Sequence, residues 1–387
     1  HRLPLRAPAR VAPAPPIPSG HMRRQIDQLD GVRALAVLAV MGFHDLKVPA
    51  GYLGVDVFFV LSGLLITSIL LAERDRRGRN DLRAFYARRL RRLYPALAAL
   101  LVLCSPFGST LSQNGTWSEW WDAVLVSATY VSNLAILVDG TQFLGALGPT
   151  WSLAVEMQFY LLWPPVLVWL LGRRVSHRAL TIGVAVAALA CLSLFWLLPT
   201  GPDPGLAVAP TYFRPDSRFG ELLAGCLLAL LLHGRAGPRP RRVELALSAG
   251  AVVGLAAILL AAWRLFPAYG TVVPMPVVAV GTALVLARLV TSDRALLSRL
   301  LRLPPLPFIG RISYPMYLWQ FPILALTVSA GLTGAAQQWW FWAGTLAAGV
   351  ISTYAIERRF WKPRSARRPP SGQAAGEPLD ARDRAAA

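Results

Sequence analysis

The sequence predicts an all-α membrane protein, a polytopic helix bundle with about ten transmembrane helices. Of its 387 residues, 55% are hydrophobic and only 15% are charged. Soluble domains carry about 25% charged residues, so this composition is that of a chain embedded in membrane lipid. The apolar segments are 32–46, 52–72, 93–111, 149–171, 179–198, 217–233, 244–262, 271–291, 306–330 and 338–357. Several of them reach the roughly 20 residues that a bilayer requires.

Composition divides the chain into three regions. Residues 1–28 begin with a stretch rich in Pro, Ala and Arg and lack an apolar core, so we expect a disordered N-terminal segment. Residues 29–362 form the predicted transmembrane domain, and residues 363–387 form a predicted disordered cytoplasmic tail. A weaker apolar stretch, 120–138, is interrupted by Ser and Asn and predicts a re-entrant or interfacial segment on the outer side.

The basic residues are distributed unevenly among the loops. Nine arginines lie between positions 74 and 92, whereas residues 112–148 contain neither Lys nor Arg. Because positive loops stay inside the cell, this asymmetry predicts a multi-pass protein of the bacterial cell membrane with both termini in the cytoplasm. The net charge of +19 comes from such short loops, which argues against nucleic acid as a partner. The three cysteines lie in apolar runs and predict buried free thiols, with no metal site.

The first apolar segment carries a charged or ionisable residue near each end, Arg33 and His44. They are eleven residues apart, so a helix places them on nearly the same face, roughly 16 Å apart along the axis. Such residues are costly inside a membrane and usually serve a function. The structural alternative is that Arg33 extends to the interface and that His44 is a hydrogen-bonded core histidine.

His44 is the candidate general base by elimination. The other four histidines lie in the N-terminal segment or in arginine-rich loops. A neutral imidazole is suited to taking a proton from a hydroxyl. Asp56 is the nearest intramembrane acid and could orient or balance that imidazole. The alternative for Asp56 is a carboxylate that stabilises the N-terminus of its own helix.

A dense arginine cluster precedes the third apolar segment. Arg88 and Arg91 share one helical face and Arg89 and Arg92 share another, and the cluster continues up to Pro95. Guanidinium groups bind phosphates through paired hydrogen bonds, so we expect a phosphate site. The positive-inside rule alone also explains a basic loop, but not arginines that continue to the membrane entry.

Two further segments place charges inside apolar helices. Glu156 and Tyr160 are four residues apart on one helical face, and Glu156 must find a partner there, either an arginine such as Arg33 or a substrate. Asp216, Arg218 and Glu221 open the sixth apolar segment, and we expect an internal Asp–Arg ion pair among them.

These residues belong to motifs that follow one another in a fixed order. The motifs are the Arg33–His44 pair, Gly-Val-Asp-Val-Phe-Phe-Val-Leu-Ser-Gly at 54–63, Arg89-x-x-Arg92 before Pro95, Trp-Ser-Leu-x-x-Glu-x-x-Phe-Tyr at 151–160, Ser-Tyr-Pro-Met-Tyr-Leu-Trp at 313–319, and Ile-Glu-Arg at 356–358. In this order the chain resembles the acyltransferase 3 family of integral membrane O-acyltransferases across residues 29–360.

The resemblance implies transfer of an acyl group from acyl-CoA to a hydroxyl of a sugar, a glycosylated metabolite or a macrolide. Acyl-CoA would be a co-substrate, and no tightly bound cofactor is expected. The resemblance also implies that Arg33 and His44 are essential and that Arg89 and Arg92 bind the CoA side. We therefore expect His44, Asp56 and Arg33 to be catalytic. The expected substrate-binding residues are Arg88, Arg89, Arg92, Glu156, Tyr160 and Gln320.

One position departs from the pattern of the family. Members often carry His after Tyr-Leu-Trp, whereas this chain has Gln320. Many members also carry a hydrolase-like domain outside the membrane, and we expect this chain to be a stand-alone member similar to sugar and macrolide O-acyltransferases. The rival hypothesis is a transporter or flippase for a lipid-linked or anionic substrate, since intramembrane charges suit that class too.

Overall fold

The computed structural model of the protein describes residues 19–198, 210–235, 239–265, 272–292 and 295–361. These residues form helices joined by short turns, and no β-strand occurs among them. The main helices are α1 Ser19–Asp45, α2 Gly54–Arg77, α3 Leu82–Cys104, α4 Trp117–Ala128, α5 Ser132–Asp139, α6 Thr150–Gly172, α7 His177–Leu197, α8 Pro215–Leu232, α9 Arg241–Leu260, α10 Met275–Thr291, α11 Pro305–Arg311, α12 Ser313–Ser329 and α13 Gly334–Ile351. Short helices occupy Gly108–Leu111, Leu296–Leu300 and Arg358–Trp361, and π-helical turns occupy Ala261–Leu265 and Ser352–Glu357.

The all-α prediction is confirmed. Five helical stretches are long and apolar enough to cross a membrane: Gly51–Arg77, Leu82–Leu111, Thr150–Gly172, His177–Leu197 and Arg241–Arg264. The other predicted spans lie in helices that are shorter, more polar or interrupted, so the prediction of ten crossings is not established. In the most apolar part of each stretch, 61% is buried in the first and only 17% in the last. This difference places α2 at the centre of the bundle and α9 at its edge.

Three predicted segments differ in detail from the helices. The predicted span 306–330 is broken at Ile312 into α11 and α12. Pro315 has no N–H with which to bond to the carbonyl of Arg311, so a continuous helix would be interrupted there. The stretch 120–138 contains parts of two short helices, α4 and α5. Helix α1 begins at Ser19, inside the predicted disordered segment, while residues 1–18 and the tail 362–387 lie outside the described residues.

Two glycines allow α2 and α8 to pack backbone against backbone. A Cβ atom on Gly63 would collide with the carbonyl of Leu222, and one on Gly225 would collide with the carbonyl of Val60. In a membrane, where lipid is as apolar as the side chains, small residues of this kind let helices approach closely enough for dispersion forces to hold them. The close contact fixes the central helix against α8.

A buried ion cluster lies at the same helix pair. Nη1 of Arg218 in α8 is 3.1 Å from Oδ1 of Asp56 in α2 and 2.5 Å from Oε1 of Glu221, and all three side chains are fully buried. The guanidinium carbon also lies 4.4 Å from the ring centre of Tyr212 and 5.0 Å from that of Trp151. Removing one member of such a cluster would leave buried charge uncompensated in a low dielectric. Because Asp56 lies in α2 whereas Arg218 and Glu221 lie in α8, the cluster joins the two helices.

The predicted internal Asp–Arg pair is wrong in its partners. Asp216 forms its ion pair with Arg214 at 2.6 Å, at an exposed position, while Arg218 turns inward to Asp56. Residues 216 and 218 are about 200° apart on a helix. Asp216 and Arg218 therefore point to opposite sides of α8 and do not pair with each other.

The turn between α2 and α3 sets the direction of the arginine cluster. Gly78 ends α2 with φ +69°, a backbone conformation that glycine adopts without strain. Asp81 then caps α3 by accepting a hydrogen bond of 2.9 Å from the backbone N–H of Ala84. The short turn brings Arg88 of α3 to 3.9 Å from Glu73 of α2.

Candidate active site

Polar residues from five of the six family-like motifs meet in one pocket between α1, α2, α3, α6 and α12. Counted with its open mouth, the pocket has a volume of about 730 Å³. Its polar lining consists of Arg33, Ser62, Arg89, Arg92, Ser152, Glu156, Tyr160, Ser313, Tyr314 and Tyr317. Valine, leucine and phenylalanine side chains from α2, α3 and α6 form the remainder. We refer to it below as the arginine pocket. Its lining of arginines and hydroxyl groups among apolar side chains suits a slender organic molecule with a few polar groups.

Three arginines give the pocket its positive charge. Arg89 and Arg92 come from one face of α3, as the helical spacing predicts, and Arg33 comes from α1. The Arg33 side chain is 21% exposed and its nearest acid is Asp30, at 3.9 Å. Its Nε atom is buried, and no described residue accepts a hydrogen bond from it. A buried donor without an acceptor is costly, so this N–H is well placed for an anionic ligand.

Arg88 occupies a different position from its neighbours. Its side chain is 52% exposed, lies 3.9 Å from Glu73 and does not line the arginine pocket. Glu73 is also closer to Arg77, at 3.2 Å. Arg88 precedes Arg92 by one helical turn and lies only about 40° from it around α3, so its side chain differs by turning to Glu73 rather than into the pocket. The structure therefore brings together two of the three predicted arginines of α3.

A single carboxylate faces the arginines across the pocket. Glu156 accepts hydrogen bonds from the hydroxyls of Ser62 in α2 and Tyr160 in α6. The guanidinium carbon of Arg89 lies 5.5 Å from the ring centre of Tyr160, which links the acid to the basic side. The predicted partner of Glu156 was an arginine or a substrate, and in the structure two hydroxyl groups take that place.

His44 lies in the last turn of α1, about three turns beyond Arg33, and outside the lining of the pocket. Its Nδ1 atom is 3.1 Å from Oε1 of Gln320 in α12. The imidazole packs edge to face against Phe43 and Phe321, with ring centres 5.3 and 4.5 Å away. Gln320 donates a 3.1 Å hydrogen bond from Nε2 to the carbonyl of Tyr317, whose ring lines the pocket. One turn of α12 thus connects the inner wall of the pocket to His44.

The expected contact between Asp56 and His44 is replaced by two other contacts. Asp56 receives its hydrogen bond from Arg218, and Gln320 holds Nδ1 of the imidazole. The nearest acid in the sequence, Asp45, instead accepts a 2.8 Å hydrogen bond from Nε1 of Trp342. A buried guanidinium is the strongest available partner for a buried carboxylate, and it lies on a helix that the local sequence around Asp56 does not reveal.

Sequence reasoning missed several residues of the pocket. The hydroxyl of Tyr317 lies 2.8 Å from Oγ of Ser152, and Tyr314 donates a 2.8 Å hydrogen bond to the carbonyl of Leu93. Both tyrosines belong to the motif at 313–319 and are three residues apart on one face of α12. The spacing of the two tyrosines is visible in the sequence, but the neighbouring residues do not indicate which helix the tyrosines face.

A family model described as an acyltransferase domain matches residues 26–358, most of the chain. The chain belongs to the acyltransferase 3 family. The chain is 33% identical over 325 residues to the peptidoglycan O-acetyltransferase OatA of Listeria monocytogenes, covering 79% of the chain and 50% of that relative. It is 31% identical over 333 residues to the putative peptidoglycan O-acetyltransferase YrhL of Bacillus subtilis, covering 82% of the chain and 51% of the relative. The O-acetyltransferase OatA of Staphylococcus aureus is 31% identical over 328 residues, which cover 80% of the chain and 52% of the relative.

The chain therefore spans about half the length of the relatives that it matches. No solved structure matches it. The resemblance inferred from the ordered motifs is confirmed, and membership of an acyltransferase family does not favour the transporter hypothesis. Among the described residues, no cluster of three or more His, Cys, Asp or Glu side chains could hold a metal ion.

Proposed function

We propose that this chain is a membrane-embedded O-acyltransferase that moves an acyl group from acyl-CoA to a hydroxyl of a carbohydrate. The observation that carries the proposal is the arginine pocket. Three guanidinium groups line it, and its wall at Tyr317 is one helical turn from the residue that holds His44. The pocket suits a long, thin, anionic donor, and the imidazole of His44 lies beyond its wall at Tyr317. Acyl transfer to a hydroxyl uses both an acyl donor and a base.

The donor is assigned from the charge and shape of the pocket. CoA carries several phosphate charges at one end and a narrow pantetheine arm that ends in the thioester. Arg33, Arg89 and Arg92 would bind the phosphate groups, since guanidinium groups pair with phosphate oxygens in bidentate geometry. The buried Nε of Arg33, which no described residue satisfies, adds a donor that phosphate would fill. The arm would then extend between α2 and α12 towards Tyr317.

The chemistry follows from the neutral imidazole. His44 removes the proton of the acceptor hydroxyl while the hydroxyl oxygen attacks the thioester carbonyl. The carbon–sulfur bond then breaks, and the thiolate of CoA takes the proton back from the imidazolium. Oxygen gains the acyl group, sulfur gains the proton, and His44 returns to its neutral form. Direct transfer of this kind needs no acyl-enzyme, and Asp56 contributes by fixing α2 against α8.

The acceptor is assigned from the relatives. Two of them are named as peptidoglycan O-acetyltransferases, one of these putatively, and the glycan of peptidoglycan presents sugar hydroxyls. We infer an acetyl group as the donor's acyl chain and a sugar hydroxyl as the acceptor. A glycosylated metabolite or macrolide offers the same chemical group and remains within the proposal. Glu156 and Tyr160 line the same pocket as the arginines and could orient either substrate.

The proposal is tested by measuring thiol release from acetyl-CoA by the purified chain, with soluble glycan fragments and a glycosylated macrolide as acceptors. We expect acceptor-dependent release that falls at least about a hundredfold in His44→Ala, the usual contribution of a general base. His177→Ala is the matched control, since His177 lies exposed at the start of α7. Retention of most turnover in a folded His44→Ala sample would refute the general-base assignment. Absence of release with every acceptor would refute acetyl-CoA as the donor.

A further inference from the structure

The hydrogen bonds of Gln320 allow only one position for the ring hydrogen of the neighbouring His44 imidazole. The carbonyl of Tyr317 can only accept, so the amide NH₂ of Gln320 must be the group that faces it, at 3.1 Å. The amide oxygen Oε1 consequently points to Nδ1 of His44, also at 3.1 Å. An amide oxygen also only accepts, so Nδ1 of His44 must carry the hydrogen.

A neutral imidazole carries one ring hydrogen, so the tautomer of His44 is decided by this contact. With the hydrogen on Nδ1, the lone pair is on Nε2. Phe43 and Phe321 pack against the ring in edge-to-face geometry and restrict its rotation. Lys47 donates to the backbone carbonyl of His44 rather than to its ring.

We propose that Gln320 is a positioning residue that holds His44 in the Nδ1–H tautomer, so that Nε2 is the atom that takes the acceptor's proton. The catalytic part of this inference rests on the proposed function. During transfer, Nε2 gains the hydroxyl proton and Nδ1 keeps its hydrogen bond to Oε1. The amide dipole therefore stabilises the imidazolium as it forms and requires no rearrangement.

This role replaces the sequence-based expectation that Gln320 binds the acceptor. The Gln320 side chain is fully buried and does not line the arginine pocket. Its oxygen is engaged by His44, and its nitrogen is engaged by the backbone one turn earlier. Both ends of the amide are thus already held by groups within the bundle. Gln320, which follows Tyr-Leu-Trp, thus acts on the substrate through the imidazole of His44.

The tautomer is measured directly by nitrogen NMR of the full chain in lipid nanodiscs with ¹⁵N-labelled histidine. The His44 signals are identified by their loss in His44→Ala. We expect a protonated Nδ1 and an unprotonated Nε2 in the wild type. Gln320→Met, which keeps the length of the side chain but removes the acceptor, should move His44 towards the Nε2–H form. Gln320→Glu keeps an acceptor and should preserve the Nδ1–H form.

Gln158→Leu is the matched control for losing a glutamine. Its amide bonds to Asn133 and to the carbonyl of Tyr130 instead, so the His44 signals should stay unchanged. An Nε2–H signal for His44 in the wild type would overturn the inference. So would an unchanged tautomer in folded Gln320→Met. Gln320→Leu provides the same test if the Met variant does not fold.

Kinetics separate positioning from acceptor binding. Gln320→Met should lower kcat about tenfold, with the acceptor KM within about twofold of the wild type, and Gln320→Glu should recover most of kcat. A raised acceptor KM with unchanged kcat would mean that Gln320 binds the acceptor and would overturn the positioning role. Because the NMR measurement needs no turnover, it decides the tautomer even if the proposed reaction is wrong.

Discussion

Replacing Arg92 with alanine tests the arginine pocket against a control that the structure provides. Arg92 lines the pocket, whereas Arg88, one helical turn earlier on α3, is 52% exposed and turned towards Glu73. Both substitutions remove one positive charge from the same loop-proximal segment. They therefore change the positive-inside signal equally but differ in their access to a ligand.

The expected magnitude follows from the contacts available in the pocket. A hydrogen bond to a charged group contributes about 1.5–3 kcal/mol, which corresponds to about ten- to 150-fold in an equilibrium constant. Arg33 and Arg89 remain in the pocket when Arg92 is removed, so the loss should lie near the lower end of that range. We expect the KM for acetyl-CoA to rise about tenfold in Arg92→Ala and less than twofold in Arg88→Ala.

Arg89 gives a second test in the same pocket. Its guanidinium carbon lies 5.5 Å from the ring of Tyr160 and 5.7 Å from that of Phe85, contacts that contribute about 0.5–1 kcal/mol at a partly exposed site. Arg89→Ala should therefore also lower thermal stability slightly. The double variant with Arg92→Ala should raise the KM for acetyl-CoA about a hundredfold.

The assay measures initial rates of thiol release while acetyl-CoA and the acceptor are varied separately. A loss of donor binding raises the KM for acetyl-CoA and leaves the acceptor KM unchanged. Equal increases for Arg88→Ala and Arg92→Ala would mean that the cluster serves only membrane topology. Equal changes for both substrates would contradict the assignment of the pocket to the donor.

Two further predictions concern the bundle itself. Gly63→Ala should lower the free energy of unfolding by about 1–3 kcal/mol, because its methyl group would strike the backbone of α8, and thermal unfolding in detergent measures the effect. Gly172→Ala, where nothing lies within 4 Å, is the control, and equal effects would contradict the close packing. In a chain without native cysteines, Ser118→Cys should react with an impermeant thiol reagent from outside intact cells. Gly237→Cys should not react, and the reverse pattern would mean that the topology is inverted.

The sequence alone determined the properties that depend on composition and on short spacings. Low charge and repeated apolar runs determine the helical membrane class, since lipid requires the backbone to satisfy its own hydrogen bonds. The spacing of Arg89 and Arg92 determines that they share a face of α3, because helical periodicity is local. The order of the motifs determines the family, since it combines many weak signals across the chain.

Only the tertiary structure decided which distant groups meet. Asp56 pairs with Arg218, 162 residues away, and His44 bonds to Gln320, 276 residues away. Periodicity shows which face a residue occupies, but not which helix packs on that face. That choice depends on close contacts such as the one at Gly63, where the backbones of two helices touch. For the same reason the sequence predicted that Asp56 lies beside His44, whereas the packing of α1 against α12 brings the amide of Gln320 there.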